Sequence, residues 1–155
     1  MKKIIYKLTY LTALFALFYS CDDVERVYYN DGAETVLTLS DDNLVLNEEN
    51  AANEILTLTW TQPDFGFSAA ALYSVQIDVQ GGDFSNPQII SVGGAFDKTF
   101  TVEELNAKLL SLSMVPNEEG VASFRIKATL SEYQEIYSNT VTVSYTHLRA
   151  HETYT

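Results

Sequence analysis

From Val121 to Leu130, apolar and polar side chains alternate without a break: Ala122, Phe124, Ile126, Ala128 and Leu130 against Ser123, Arg125, Lys127 and Thr129. Period 2 over this length puts every apolar group on one side of an extended chain, whereas a helix would scatter them around its circumference. The run predicts a strand with one buried face. Similar runs recur. In Ile55 to Thr61, Leu56, Leu58 and Trp60 oppose Thr57 and Thr59. In Leu72 to Gln80, Tyr73, Val75, Ile77 and Val79 oppose Ser74, Gln76 and Asp78. Thr35 to Leu39, Leu44 to Leu46, Gln88 to Val92, Lys98 to Phe100 and Thr140 to Val143 are shorter candidates, divided by turn residues such as Gly81-Gly82-Asp83. Short alternating strands at this spacing predict an all-β fold, an antiparallel sandwich. A hydrophobic share of 46% supplies a core, and a lone cysteine leaves that core to hold the domain without an internal disulfide.

One segment has a different period. Thr101-Val102-Glu103-Glu104 has the pattern of a capping box, with Thr101 as N-cap and Glu104 at N3. Val102, Leu105, Leu109 and Leu112 then recur at helical spacing. The spacing predicts a short helix over residues 102–112. So short a helix persists only when packed, so it is expected to bridge the sheets and plug one end of the core.

The chain opens with Lys2, Lys3 and Lys7, followed by an apolar stretch from Leu8 to Phe18 that is too short to span a bilayer. Leu17-Phe18-Tyr19-Ser20-Cys21 reads as a lipobox, and Asp22, Asp23 and Glu25 follow at once. Residues 1–20 are therefore expected to be a lipoprotein signal peptide, with Cys21 the lipid attachment site. The alternative is an ordinary signal peptide followed by a free thiol, a liability in an oxidising compartment. Residues 21–34 read as an acidic tether and 35–143 as the sandwich. Net charge is −12, and the signal holds three lysines and no acids, which takes the mature chain to −15. That excludes nucleic acid as a partner and excludes docking on anionic lipid through the protein surface. Lipid on Cys21 is the route left to the membrane.

Chemistry is sparse along the body of the chain. His147 and His151 lie near the C-terminus, so the sandwich contains neither histidine nor cysteine. Cys-His and Ser-His nucleophiles are thereby removed, as are the ligands preferred by zinc, copper and haem iron. Neither a cofactor nor a catalytic residue is implied. Asp41-Asp42, Glu48-Glu49 and Glu118-Glu119 could in principle supply a carboxylate pair, but they sit in turns of a chain with 21 acids, where solvated loops are the plainer reading. Trp60 shares a face with Leu56 and Leu58 and reads as core. Phe65 and Phe67, in the loop Gln62-Pro63-Asp64-Phe65-Gly66-Phe67, are weak candidates for a glycan contact, with capping of the sandwich the alternative use. Phe84, Phe96, Tyr133 and Tyr137 read as strand-end packing.

The run Leu44-Val45-Leu46-Asn47-Glu48-Glu49-Asn50-Ala51-Ala52-Asn53-Glu54-Ile55-Leu56-Thr57-Leu58-Thr59-Trp60-Thr61 resembles the opening strands of the SusE/SusF outer-membrane lipoproteins. So do Tyr73-Ser74-Val75-Gln76-Ile77-Asp78, Phe100-Thr101-Val102-Glu103-Glu104-Leu105-Asn106 and Tyr137-Ser138-Asn139-Thr140-Val141. The resemblance implies an immunoglobulin-like or fibronectin-III-like N-terminal domain of a lipid-anchored protein at the cell surface. It implies SusC-like and SusD-like transporter components as partners. Starch or another glycan would be bound only through later domains, with this one a non-catalytic spacer. Val143-Ser144-Tyr145-Thr146-His147-Leu148-Arg149-Ala150-His151-Glu152-Thr153 departs from the family and resembles one reading frame of a sequencing-library adapter, so residues 144–155 are expected to be a non-native tail. Two other functions stay open: a tether module for a surface glycoside hydrolase, or a stand-alone structural or adhesion lipoprotein. The sequence names neither the glycan nor an oligomeric state.

Overall fold

The computed structural model describes residues 34–67, 69–114 and 118–146. Among them are nine strands: β1 (Leu37–Leu39), β2 (Asn43–Val45), β3 (Glu54–Trp60), β4 (Leu72–Val79), β5 (Gln88–Gly93), β6 (Asp97–Thr101), β7 (Glu119–Ser131), β8 (Gln134–Tyr137) and β9 (Val141–Thr146). One α-helix, α1 (Val102–Ser111), joins β6 to β7, and a single 3-10 turn spans Glu48–Asn50. A three-stranded sheet has the order β1-β3-β6, and a larger one the order β2-β9-β7-β4-β5 with β8 also on β7. Strands one, three and six in one layer and four, five, seven and nine in the other is the immunoglobulin-type partition of a sandwich. All pairings are antiparallel except β2 with β9, which is parallel.

The alternating runs face as their pattern predicts except at Val79, which ends β4 at 38% exposure because the strand has run past the core there. Leu58, Val75, Ile77, Phe124 and Ile126 meet between the sheets with no exposed surface. Trp60 is 3% exposed, and its ring lies 6.0 Å from that of Tyr73 across the core. The indole N–H has no hydrogen-bond partner among the described residues.

Helix α1 closes one end. Thr101 Oγ1 accepts from the Glu104 N–H at 3.2 Å. The two amides before it, of Val102 and Glu103, donate to the carbonyls of Asn53 and Ala51 at 3.0 and 2.9 Å. The first turn thus has its free donors met by one side chain and by the loop leading into β3. The capping box is only half made: the Glu104 carboxylate turns instead to Lys98 Nζ at 2.9 Å. Val102, Leu105 and Leu109 form the buried stripe.

Three details depart from the sequence reading. Gln76 and Asp78, on the polar side of β4, are nonetheless buried at 5% and 9% exposure. Strand β4 is flanked on both sides by β5 and β7, and side chains and a loop cover its outer face. Strand β8 is unforeseen. Strand β9 runs to Thr146, three residues past the boundary expected at 143. Val141, Val143 and Tyr145 continue its inward alternation, and Ser144 pairs with both Val121 and Asn43.

Candidate functional site

Cys21, His147 and His151 lie outside the described residues. Phe65 does not face solvent. Its loop is turned inward by the Gly66 N–H donating to Asp64 Oδ1 at 2.8 Å and by a φ of 78° at Gly66, and Phe65 is 1% exposed. It is a core residue and offers no ring face to a ligand. Phe67 packs beside it at 6.4 Å, half-buried in a shallow hollow with Gln62, Pro63, Asp64 and Gly66. The hollow holds one partly open ring and no convergent charge.

The carboxylate pairs Asp41-Asp42, Glu48-Glu49 and Glu118-Glu119 are all exposed. No group of three or more His, Cys, Asp or Glu side chains among the described residues is placed to hold a metal ion. No helix among them is long and apolar enough to cross a membrane.

The four aromatics read as strand-end packing divide. Phe96 covers Tyr73 at 5.3 Å while remaining 43% exposed. Tyr133, at the tip of the β7–β8 hairpin, is 92% exposed and packs on nothing. A turn residue there has no layer beneath it. Phe84 and Tyr137 instead lie against the Arg125 guanidinium on the outer face of the larger sheet, at 4.1 and 4.2 Å from ring centroid to Cζ. Arg125 Nε donates to Gln76 Oε1 at 2.7 Å. Beside it, hydrogen bonds from Lys127 and then Tyr137 hold the Glu135 carboxyl below the usual carboxylate range. The bond to Glu135, with burial second, pushes the Tyr137 phenol up. This cluster joins side chains from β4, the β4–β5 loop, β7 and β8, and sequence reading passed over it. The signal available was Arg125 standing on the polar side of the longest alternating run. Its ring partners come from two other segments.

Three tyrosines have a consequence for pH. Burial raises the Tyr73 phenol and pushes that of Tyr145 up to about 12, and Tyr137 is raised as described. Below the ordinary tyrosine value of about 10 each is neutral both folded and unfolded, and stability does not depend on it. Above that value the unfolded chain ionises first, so stability falls as pH rises toward the folded value. Urea unfolding midpoints are expected to decline from pH 10 upward. A midpoint unchanged through pH 12 would contradict the burial of Tyr73 and Tyr145.

No curated protein matches the chain. Among solved structures it is similar to pectate lyase PelI from Erwinia chrysanthemi in complex with tetragalacturonic acid, at 15% identity and a TM-score of 0.42, covering 71% of this chain and 27% of that one. The chain thus spans about a quarter of that enzyme's length. It is also similar to an Fn3-like protein from Clostridium thermocellum, at 16% identity and a TM-score of 0.42, covering 78% of this chain and all of the other. The family model described as SusE outer membrane protein matches residues 22–127, from the residue after Cys21 through most of β7. On that match, which takes in most of its length, the chain belongs to the SusE outer membrane protein family.

Proposed function

We propose that the chain is the spacer domain of a cell-surface lipoprotein in a glycan-uptake system. Lipid on Cys21 holds it at the outer membrane, and it stands beside SusC-like and SusD-like components. It carries out no catalysis, and starch or another glycan is bound by further domains of the protein. Family membership supports the setting. The structural observation that carries the spacer role is the parallel pairing of β2 with β9, from Asn43 opposite Ser144 to Val45 opposite Thr146. Ser144 to Thr146 are residues that the sequence reading placed in the tail and that here complete β9. Parallel strands run the same way, so the chain enters at one end of the sandwich and leaves at the other. The entry is tied down by Asn139, which accepts from the Leu37 N–H at 2.8 Å and donates to the Leu37 carbonyl at 3.1 Å. From Asn139 to Thr146 an extended chain covers roughly 23 Å. A domain with entry and exit at opposite ends adds that length between an anchor and whatever follows, whereas one with adjacent termini would add little.

Mass spectrometry of protein extracted from membranes tests the anchor. A diacylated or triacylated Cys21 as the first residue is expected. An unmodified Cys21 within a longer soluble chain would end the lipoprotein reading.

A further inference from the structure

Arg125 is held more tightly than an outward-facing side chain requires, and half of it is unused. Its Nε–H is taken by Gln76, itself buried at 5% exposure, and the rings of Phe84 and Tyr137 lie 4.1 and 4.2 Å from its Cζ. The remaining N–H donors, on the two terminal nitrogens, have no protein acceptor among the described residues.

The walls of this cage are themselves fixed. Phe84 adopts a φ of 57°, a conformation that strains a bulky residue and persists only when surroundings enforce it. Asp78 enforces it: Oδ2 accepts from the Phe84 N–H and Oδ1 from the Val79 N–H, each at 2.8 Å. The Asp78 carboxylate occupies the space a Cβ at Gly82 would need. On the other side Tyr137 Oη donates to Glu135 Oε2 at 2.8 Å, and Glu135 is paired with Lys127. Lys127 and Glu135 neutralise each other. Arg125 makes no ion pair among the described residues, in a chain where 21 acids face 9 bases.

We propose that Arg125 anchors a docking site for a protein partner that presents a carboxylate with an apolar side chain about 10 Å away. A planar, pre-oriented fork with free terminal N–H groups matches a carboxylate in two parallel hydrogen bonds. The second element comes from register. Ile89, Gln76 and Arg125 stand directly opposite one another on β5, β4 and β7 and so share a face. Two strand spacings separate Ile89 from Arg125, about 10 Å, and Ile89 is 58% exposed. An arginine flanked by Tyr and Phe on a sheet face has the composition of a protein-interface centre. A sugar is the poorer fit, because Phe84 and Tyr137 each have a ring face occupied by the guanidinium.

The test uses the full chain and a blocked tetrapeptide, Leu-Gly-Gly-Glu, at constant ionic strength, followed by NMR of the Arg125 Nε–H and the Gln76 and Ile89 amides. A saturable shift is expected at all three. The Leu-Gly-Gly-Gln peptide should bind at least about tenfold more weakly, the loss of one charge-assisted pair. Arg125→Lys keeps the charge and loses the fork, so it should weaken the peptide to a similar degree while leaving the thermal midpoint within a few degrees. Phe84→Gly relieves the backbone and removes one wall, and should also weaken binding in a folded protein. Equal response to the Glu and Gln peptides, no saturable shift, or an Arg125→Lys protein that binds as tightly as the parent would each overturn the proposal. Glucuronate shifting the Arg125 resonance at lower concentration than the peptide would overturn the protein partner in favour of an acidic sugar.

Discussion

Trp60→Ala is expected to remove about 3–5 kcal/mol of stability, the usual cost of deleting a large buried aromatic. Trp60 ends β3 on its inward face, 3% exposed, against Tyr73 of the opposite sheet. Leu58, Val75 and Ile77 of the same core are fully enclosed, and how far such a site collapses sets where in that range the cost falls. Domains of this size are stable by about 5–15 kcal/mol, so the loss is a large share of the total. Trp60→Phe should cost far less. It keeps a ring in place and removes an indole N–H that is buried without a partner among the described residues, a group that itself costs about 1–3 kcal/mol. Urea unfolding of the two variants beside the parent measures both. Nearly equal losses would mean the orphaned donor is satisfied in solution. A Trp60→Ala loss below about 1 kcal/mol would mean the indole is not core at all. The same burial predicts blue-shifted, quencher-protected fluorescence that added maltooligosaccharide leaves unchanged.

Leu105→Ala carries the second large effect, about 2–5 kcal/mol. Leu105 lies in the first turns of α1 with no exposed surface, beside the equally enclosed Leu109 and Phe100. Thr101→Ala removes only the cap oxygen from the Glu104 amide and should cost about 1 kcal/mol. The ratio matters more than either value. The amides of Val102 and Glu103 keep their carbonyl partners in Thr101→Ala, so the helix should survive loss of the cap. Equal and negligible shifts in the unfolding midpoint would mean that α1 contributes no packing.

Alternation made the inward faces of β3, β4 and β7 legible, because water on one side and a core on the other sort side chains at period 2. The cap at Thr101 was legible for a similar reason: its chemistry is local, between residues three apart. What could not be read depends on which strands become neighbours. Gln76 and Asp78 look solvent-facing in sequence and are buried because distant segments, the Phe84 loop and β7, cover them. Phe65 looks like an exposed loop aromatic, and only the turn at Asp64 and Gly66 aims it inward. The four-residue β8 is too short to show a period, and it pairs through a hairpin with no glycine at its tip. Glu104 finds Lys98 rather than the helix cap, because β6 delivers a cation to it. The Arg125 cage has the same origin, since its two rings come from the β4–β5 loop and β8.

The spacer reading is tested most directly by isothermal titration of the unlipidated chain, from residue 21 onward, with starch, pullulan and other soluble polysaccharides. Phe65 and Trp60 are enclosed and Phe67 is half-buried, so none of these three rings offers a broad platform for a pyranose. Heats indistinguishable from dilution are expected for every glycan, with affinity electrophoresis showing no retardation. Saturable binding that Phe67→Ala abolishes would contradict the reading and make this domain a binder in its own right.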